Sequence, residues 1–488
     1  MMPADRVQAE PLHLDAQARA ALWPQVFAAI EEYAARVDTL PAAPRVDPET
    51  IRAALARLDF SQPLEPAAAL QLAVDGLTRW QTHTPHARYF GLFNPAPAAM
   101  GIAADALVAA FNPQLAAWGH NPFAVEVEQH LVRALGAKFG YDAAKTEGVF
   151  TSCGSEANHT ALLVALTSAF PAFGRDGARG LAAPPVFYAS AESHHSLHKA
   201  ARACGLGTSA VREIPVDGHL RMSVAALEKQ IAADRRQGRA PFLVAATAGT
   251  TSGGAIDPLA AIAEVAAREG LWLHVDAAWG GAAALVPEMR PLLAVIERAD
   301  SITLDAHKWL SVPMGAGVHL NRHPGALAKT FSMQAAYVPF EPHAGRVVDF
   351  YAHSMAWSRR FTGLKLFLTL AVAGWEGYAA ALRHMAAMGD LLRKELDAAG
   401  WEVVYPTPLP LACFVDRSIA QGRSAEYLER VGRRVVESGT AWISNTRVAG
   451  GTPVLRACIT NFRTGPEDIG ALIAALANAR EEAAAATA

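Results

Sequence analysis

Cysteine is scarce in this sequence of 488 residues, and the few cysteines show no paired spacing. A dense set of cysteines would indicate a secreted domain held by disulfide bonds, and closely paired cysteines would indicate a zinc site. Because neither pattern occurs, we expect no metal site and reduced thiols, as is typical of a cytoplasmic protein. The cysteines are Cys153, Cys204, Cys413 and Cys458.

An excess of charge of one sign and long apolar runs are also lacking. The 43 basic and 46 acidic residues leave a formal net charge of −3, so no basic field can attract a nucleic acid. A membrane-spanning helix would need an uninterrupted run of about 18 apolar residues, and none is present. Residues 1–10 carry acidic side chains and no apolar core, so we expect no secretory signal. We therefore expect neither a nucleic-acid partner nor a membrane association.

The hydrophobic content of 52% allows a large core, and the length of the chain suggests more than one structural unit. We expect an N-terminal helical segment over residues 1–100, a large domain over residues 101–375 and a small C-terminal domain over residues 376–488. In the first segment, Asp47 is a predicted N-cap, with Pro48 in the first turn of its helix. A helical arm of this kind often packs on a partner subunit.

Short β-branched runs alternate with Ala- and Leu-rich helical stretches in the large domain, which predicts an α/β fold with a mostly parallel sheet. In such a sheet, ligands bind beyond the carboxyl ends of the strands, so the residues after each strand should form one site. The candidate strands are residues 148–150, 186–189, 243–246, 271–275 and 301–304. The small domain is predicted to be α+β, with helices at 377–399 and 466–480 and strands at 401–404, 411–415 and 454–459.

Lys308 follows the last of these strands, next to His307, in a turn closed by Val312 and Pro313. A lysine reacts with an aldehyde only after losing its proton, and desolvation with nearby positive charge lowers the pKa of a lysine. The functional interpretation is a Schiff-base lysine that holds pyridoxal phosphate. A single lysine is by itself far more often a solvated surface charge. The residues at the other strand ends therefore decide whether Lys308 is a Schiff-base lysine or a surface charge.

Gly154 and Ser155 come after the first strand, where Ser155 is a predicted helix N-cap and Gly154 permits close backbone approach. The unpaired amides at a helix start bind anions, so the segment is either a phosphate cradle or an ordinary capped helix.

His194 follows the second strand, four residues before His198, so the two would share a helix face and could be metal ligands. The glutamate of the zinc protease motif and a third ligand are lacking, however. An imidazole at this place can instead stack on a flat heteroaromatic ring.

Thr247 and Asp276 follow the next two strands. The turn that begins at Thr247 is rich in hydroxyl groups and glycine, and it is either a plain loop or a donor to a phenolic oxygen or a carboxylate. A carboxylate after so apolar a strand is costly unless a cation or several donors meet it, although Asp276 could also be an N-cap. A pyridinium N–H would be such a partner, and a protonated ring is an electron sink. Ala277 and Ala278 leave room for that ring.

Read in chain order, these strand ends supply a phosphate cradle, a stacking histidine, a hydroxyl turn, an aspartate and a lysine. Each signal is weak alone, and together they predict a pyridoxal phosphate site. The chain between Asp276 and Lys308 is long enough for one strand–helix–strand crossover.

The chain resembles the group II pyridoxal-phosphate-dependent amino-acid decarboxylases, and in particular the bacterial aromatic or tyrosine decarboxylases. The resemblance spans roughly residues 80–465, whereas residues 314–317 and 338–349 depart from the usual pattern near the substrate pocket. Its most specific pieces are HVDAAWGG at 274–281, DAHKWL at 305–310, GSEAN at 154–158 and SRRF at 358–361.

The resemblance implies the aspartate-aminotransferase-like fold, PLP fold type I, in a homodimer whose active sites are shared between subunits. It implies that Lys308 binds the cofactor covalently, Asp276 pairs with the pyridine nitrogen and His194 stacks on the ring. The residues implied to contact the phosphate are Gly154, Ser155 and His307, and those near the ring are Thr247 and Ala278. Tyr337 would protonate the substrate carbon after CO2 leaves, and Arg456 would be available to a carboxylate.

The substrate is expected to be an aromatic L-amino acid, because aromatic side chains crowd the predicted lip of the pocket. These side chains are Tyr89, Phe90, Phe93 and Trp118. A packed surface loop is the alternative for this cluster, and a small aliphatic or acidic substrate stays open because His120 and Arg456 could serve it.

Other functions remain open at this point. The same cofactor could support a decarboxylase of a diamino or acidic amino acid, an aldehyde-forming decarboxylase–oxidase, a C–C lyase or an aminotransferase. A non-catalytic or metal-binding α/β protein that uses His194 and His198 is the alternative from another class.

Overall fold

The computed structural model describes residue 12 and residues 14–333, 347–420 and 422–485. The helices are α1 (Ala16–Arg36), α2 (Pro48–Leu55), α3 (Pro66–Arg79), α4 (Ala99–Phe111), α5 (Pro122–Phe139), α6 (Gly154–Ala169), α7 (Phe173–Asp176), α8 (Ser196–Ala203), α9 (Val224–Arg236), α10 (Leu259–Glu269), α11 (Ala326–Phe331), α12 (Leu364–Ala398), α13 (Ala425–Glu437) and α14 (Pro466–Ala485). The strands are β1 (Glu147–Thr151), β2 (Pro185–Ser190), β3 (Val211–Ile214), β4 (Ala240–Thr247), β5 (Trp272–Asp276), β6 (Ser301–Asp305), β7 (Gly317–Asn321), β8 (Trp401–Val404), β9 (Leu411–Asp416), β10 (Ser444–Val448) and β11 (Thr452–Cys458).

Local chemistry sets the ends of several helices. Asp47 accepts hydrogen bonds from the backbone amides of Glu49 and Thr50, and Pro48 occupies the first position of α2, as predicted. Gly140 ends α5 with a φ of 89°, a left-handed conformation that glycine adopts without steric cost.

The larger sheet has seven strands in the order β1-β7-β6-β5-β4-β2-β3. Strands β6, β5, β4, β2 and β3 pair in parallel, whereas β7 is antiparallel to both of its neighbours, β6 and β1. All strands except β7 therefore run in one direction, and their carboxyl ends lie along one edge. The central strands are buried at almost every position, as expected for a sheet covered on both faces. The predicted mostly parallel sheet is confirmed.

The smaller sheet has four strands in the order β10-β11-β9-β8, and all its pairs are antiparallel. Helix α12 leads into it and is interrupted at Gly374, whose φ of 64° and ψ of 176° are not helical. The helix predicted at 377–399 therefore begins earlier, at Leu364, and includes a break. The division of the chain at residue 375 stays a prediction.

The predicted strands are all present, but three further strands were missed. Strand β3 carries two charged residues, β7 begins with glycine and β10 is mostly polar, so none of them reads as an apolar run. The connection between the parallel strands β5 and β6 is long enough for a helical crossover, but it is built differently. Within the described chain, three short 3-10 turns make this connection, namely Gly280–Leu285, Arg290–Leu293 and Ile296–Arg298.

A buried ion pair ties α5 to the segment that precedes α12. The Arg359 guanidinium contacts the carboxylate of Glu128, whose side chain is fully buried, and also donates to the backbone oxygen of Phe150 at 2.9 Å. The second carboxylate oxygen of Glu128 accepts from the Gly363 amide at 2.9 Å. Burial raises the pKa of Glu128, and Arg359 opposes this effect. The pair therefore holds the end of β1 beside the loop that leads into α12.

The cysteines are free, and two of them, Cys413 and Cys458, are buried. Burial raises the pKa of these thiols to about 12 and about 11, so they stay protonated at neutral pH. No helix in the described ranges has both the length and the apolar composition that crossing a membrane requires.

Replacing Arg359 by Met should lower the free energy of unfolding by about 3–5 kcal/mol, because it leaves the Glu128 carboxylate buried without a cation. Denaturant unfolding at neutral pH measures this loss. The control is Arg360→Met, since Arg360 forms an exposed pair with Asp105, for which we expect a change within about 1 kcal/mol. Equal losses for both variants would contradict the importance of the buried pair.

Candidate active site

A cavity of about 200 Å³ lies at the edge of the large sheet where the parallel strands end. Its lining includes all the residues that the sequence predicted to bind the cofactor, namely Gly154, Ser155, His194, Thr247, Asp276, Ala278, His307 and Lys308. Cys153, Asn158, Gly249, Thr251, Trp279 and Asp305 complete the lining. The structure therefore brings side chains from distant parts of the chain around one space.

Asp276, the last residue of β5, is a buried carboxylate satisfied by neutral donors. One of its oxygens accepts from the side-chain amide of Asn158 at 2.7 Å, and the other accepts from the backbone amide of Ala278 at 3.1 Å. Within the described chain, no lysine or arginine forms an ion pair with it. A buried carboxylate without a cation is costly, so a cationic ligand in the cavity would be favoured.

A chain of hydrogen bonds behind Asp276 fixes its orientation. His274 contacts the side-chain oxygen of Asn158 at 3.1 Å through Nε2 and the hydroxyl of Ser301 at 2.9 Å through Nδ1. Burial lowers the pKa of His274 to about 4, so its imidazole is neutral at neutral pH. Because the amide nitrogen of Asn158 already donates to Asp276, its oxygen accepts, and the proton of His274 therefore lies on Nε2. The sequence did not single out Asn158 or His274 for this role.

Lys308 lies in the turn after β6, and its Nζ is 2.9 Å from a carboxylate oxygen of Asp305. Two backbone-mediated contacts close the turn. The amide of Ala306 donates to the carbonyl of Ala316 at 2.8 Å, and the Ala316 amide donates to Nδ1 of His307 at 3.1 Å. The lysine is thus held on a rigid support while its amine points into the cavity.

The far side of this turn is anchored by a second, buried lysine. The Nζ of Lys365 donates to the carbonyl of Met314 at 2.7 Å and lies 3.3 Å from the carboxylate of Asp105. Burial lowers the pKa of Lys365, and Asp105 opposes this shift.

His194 and His307 are neutral side chains of the cavity wall. Burial lowers the pKa of both, although Asp276 raises that of His194 and Asp305 raises that of His307. A neutral imidazole is a planar surface without charge, which suits stacking on a ring.

The predicted sharing of one helix face by His194 and His198 is wrong. His194 precedes α8, which begins at Ser196, and His198 contacts Glu213 at 3.0 Å instead. Across the described ranges, no three His, Cys, Asp or Glu side chains are grouped closely enough to hold a metal ion.

The start of α6 lies at the cavity, where the sequence predicts an anion cradle, and its N-cap differs from the predicted one. The N-cap is Cys153, and Ser155 lies within the first turn. Cys153 makes no side-chain cap, and the first amides of a helix lack intrahelical acceptors, so they can receive an anion. A Cβ placed on Gly154 would lie 2.7 Å from the carboxylate of Asp305, which is why only glycine fits there.

Thr247 is held in place by a carboxylate that sequence reasoning missed. Asp257 is buried and accepts hydrogen bonds from the backbone amides of Thr247, at 2.8 Å, and Met222, at 2.7 Å. Burial raises the pKa of Asp257 to about 6. The hydroxyl of Thr247 lies 3.3 Å from that of Ser193, just before His194.

The predicted substrate residues fall into different places. Phe93 stacks on Trp279 of the cavity wall with ring centroids 4.6 Å apart, and the Nζ of Lys308 lies 5.6 Å from the Phe93 centroid. Phe90 is wholly buried in the core, so its prediction as a residue of the pocket lip is wrong. Tyr89 packs on Trp442 away from the cavity.

Two further predicted residues remain to be located. The indole nitrogen of Trp118 donates to Glu126 at 3.0 Å, and Trp118 does not line the cavity. Tyr337 lies outside the described residues.

Arg456 is a buried cation one layer behind the cavity. It donates to the backbone oxygens of Thr251 and Gly91, at 2.9 and 2.8 Å, and its guanidinium carbon is 5.0 Å from the Phe93 centroid. Its Nη2 atom is buried and has no hydrogen-bond partner among the described residues. No carboxylate of the described chain forms an ion pair with it.

These groups fit pyridoxal phosphate. The cavity offers an amine for the aldehyde, an uncompensated carboxylate for a ring nitrogen, neutral imidazoles beside them and free helix amides for a phosphate. Among the described residues, no lysine or arginine pairs with the buried carboxylate of Asp276, and this observation favours a cationic ring most strongly.

Comparisons with known proteins agree with this fit. A family model described as the pyridoxal-dependent decarboxylase conserved domain matches residues 55–416. An aromatic-L-amino-acid decarboxylase of Bacillus atrophaeus is 32% identical over 470 residues, which cover 94% of this chain and 95% of that protein. An L-2,4-diaminobutyrate decarboxylase of Rhizobium meliloti (strain 1021) is 36% identical over 305 residues, which cover 61% of this chain and 60% of that protein. The crystal structure of Oryza sativa TDC with PLP and tryptamine is similar with a TM-score of 0.88 at 27% identity, covering 96% of this chain and 99% of that one.

Replacing Asn158 by Ala should weaken the binding of pyridoxal phosphate roughly 10- to 100-fold, because a buried hydrogen bond to a charged group is worth about 1.5–3 kcal/mol. Titration of the cofactor-free protein, followed by visible absorbance, measures this change. Thr160→Ala is the control, since its buried hydroxyl lies on the same helix and bonds only to the backbone of Glu156. Unchanged affinity in the Asn158 variant would show that Asp276 does not depend on this contact.

Proposed function

This chain belongs to the pyridoxal-dependent decarboxylases, and we propose that it converts an aromatic L-amino acid into the corresponding amine and CO2. Membership confirms the predicted family, the cofactor pyridoxal phosphate and amino-acid decarboxylation as the reaction. The likeness to the rice structure confirms the predicted fold class. The identity of the amino acid, the release of amine and the roles of individual residues are parts of the proposal.

Pyridoxal phosphate, when bound, supplies a protonated ring that takes up the electron pair left when the bond to the carboxylate breaks. Asp276 is proposed to hold the proton at the ring nitrogen, because its carboxylate faces the cavity without a cation of its own. Asn158 and Ala278 keep that carboxylate in one orientation. Lys308 would bind the cofactor covalently, and the hydrogen-bonded turn that carries Lys308 would hold its amine in the cavity.

The remaining wall residues are proposed to orient the cofactor and exclude water. The neutral imidazole of His194 would cover one face of the ring, and Thr247 and Ala278 would border it. The amides of Gly154 and Ser155, with His307, would hold the phosphate.

The aromatic side-chain preference rests on Phe93 and Trp279. Phe93 is buried, but its ring stacks on Trp279, which lines the cavity, and its centroid lies 5.6 Å from the Lys308 amine, so a substrate that reacts at this amine would lie near aromatic side chains. An aromatic pair adds about 0.5–1.5 kcal/mol beyond the burial of area. The name of the Bacillus atrophaeus relative supports the same preference.

An acidic substrate is the second candidate, and one observation favours it. The Nη2 of Arg456 is buried and has no hydrogen-bond partner among the described residues, the guanidinium carbon lies 5.0 Å from the Phe93 centroid, and a substrate carboxylate would satisfy this nitrogen. A diamino acid also stays among the alternatives, because the Rhizobium meliloti relative is named an L-2,4-diaminobutyrate decarboxylase.

We also propose that the protein is a homodimer with shared active sites. Helices α1, α2 and α3 have no buried residue within this chain, although they carry large apolar side chains. Trp23 and Phe27 on α1 are 50% and 57% exposed, which suits helices that pack on a second copy. Sedimentation velocity tests this assembly, and a stable monomer at micromolar concentration would contradict it.

A panel of L-amino acids tests the substrate. We expect tyrosine, tryptophan, DOPA or phenylalanine to be decarboxylated with a higher kcat/KM than 2,4-diaminobutyrate or aspartate, with CO2, amine, aldehyde and ammonia measured separately. Phe93→Leu should lower kcat/KM for the aromatic substrates roughly 2- to 10-fold relative to the others, because an aromatic contact is lost.

The controls separate the alternatives. Lys308→Ala should lack both activity and the visible absorbance band that borohydride bleaches in the parent protein, which would eliminate a non-catalytic or metal-binding role. Arg456→Met should leave an aromatic preference in place. Preferred turnover of aspartate, abolished in Arg456→Met, would instead establish the acidic substrate.

Tyr337→Phe tests whether the product is an amine. If Tyr337 donates the proton that replaces the carboxylate, the variant should keep the colour of the bound cofactor, and in air-saturated buffer its product should shift from amine to aldehyde, with dioxygen as the oxidant and ammonia and hydrogen peroxide as the other products. Chromatography of both products after complete turnover measures the ratio. An unchanged amine yield would exclude Tyr337 as the proton donor.

A further inference from the structure

We propose that Asp305 competes with the phosphate of the cofactor for the anion cradle at the start of α6 and so weakens the retention of pyridoxal phosphate. The inference rests on the proposed assignment of the Gly154 and Ser155 amides to that phosphate. Asp305 itself has no role in the proposed mechanism.

The position of Asp305 carries the proposal. Asp305 ends β6, and only 1% of its side chain is exposed. A Cβ on Gly154 would lie 2.7 Å from one of its carboxylate oxygens, so this anion lies against the first residue of α6. Its other oxygen, Oδ1, is buried and has no hydrogen-bond partner in the described chain. This orphaned oxygen lies 3.2 Å from the same built Cβ, beside the first residue of the proposed phosphate cradle.

The charges around Asp305 show what balances it. The ammonium of Lys308 lies 2.9 Å from its Oδ2, and Nε2 of His307 lies 3.9 Å from the same atom. Burial lowers the pKa of His307, so this imidazole is neutral and contributes little charge. Desolvation also lowers the pKa of His194, so this imidazole adds little charge. Lys308 is therefore the cation that compensates Asp305 in the cofactor-free protein.

The cofactor uses that same lysine. Once Lys308 is engaged, Asp305 loses its ammonium partner and shares the cradle with a phosphate that carries about −1.5 to −2 charges near neutral pH. Like charges that share a buried site repel strongly because little solvent screens them. Asp305 therefore opposes binding in proportion to the charge of the ligand, and a ligand without phosphate escapes this repulsion.

Paired titrations with pyridoxal phosphate and pyridoxal test the proposal. Cofactor-free wild type and Asp305→Asn are titrated with each ligand, and dissociation constants are taken from visible absorbance and tryptophan fluorescence. Asp305→Asn should bind pyridoxal phosphate at least about tenfold more tightly, which equals about 1.4 kcal/mol, while its affinity for pyridoxal changes by less than about threefold. The control is Asp390→Asn, whose carboxylate is 78% exposed on α12, and it should change neither constant.

Other results would overturn the proposal. Equal tightening for both ligands would mean that Asp305 acts only by holding Lys308, and weaker binding of pyridoxal phosphate would mean that Asp305 supports the site. Asp305→Ala, which also lacks the charge, should shift the constants in the same direction as Asp305→Asn and guards against a folding defect in one variant.

The Lys308→Ala background isolates the effect on the phosphate. There the ammonium is absent in both proteins, so adding Asp305→Asn should still tighten pyridoxal phosphate and leave pyridoxal unchanged. Failure of the wild-type protein to bind pyridoxal phosphate at all would refute the proposed cofactor site itself. If the wild-type protein binds pyridoxal phosphate but Asp305→Asn does not bind it more tightly, only the role of Asp305 would be refuted.

Discussion

The burial of one carboxylate without a cation is the constraint on which the rest of the site depends. Asp276 loses its hydration at the end of β5 and, among the described residues, regains two neutral donors, one from α6 and one from its own turn. The Asn158 donor is in place because β5 and β6 pair in parallel with His274 opposite Ser301, whose hydroxyl bonds to the imidazole of His274, and His274 in turn holds the amide of Asn158. The orientation of the Asp276 carboxylate is thus determined by the packing of the sheet and not by a flexible loop.

The residues at the strand ends could be predicted from the sequence to lie together, because parallel strands end along one edge whatever the details of their packing. Asn158, Asp257 and Asp305 could not be predicted in this way, since their roles depend on the rotation of a helix or the path of a turn. A signal for Asn158 did exist, because it follows the cradle residues by about one helical turn. Phe90 shows the converse error, since a cluster of aromatics does not tell which ring faces a pocket and which faces the core.

The aromatic and the cationic features of the substrate region are coupled through one ring. Phe93 has the Lys308 amine 5.6 Å from its centroid and the Arg456 guanidinium 5.0 Å from it. Cations near an aromatic ring are attracted to its negative face, which stabilises the position of the ring. Phe93 therefore lies near both the reactive amine and the buried guanidinium, so a change of this one ring would affect both cations.

The two reactive groups of the site differ in how much of the chain must be ordered before each is placed. The turn that bears Lys308 is closed by a contact between residues 9 positions apart, whereas Asp276 relies on a contact across 118 positions. Because the entropy lost in closing a loop grows with its length, the lysine turn is the less costly to form. The lysine turn can therefore form in a nascent or partly melted chain in which the Asp276 carboxylate is not yet held.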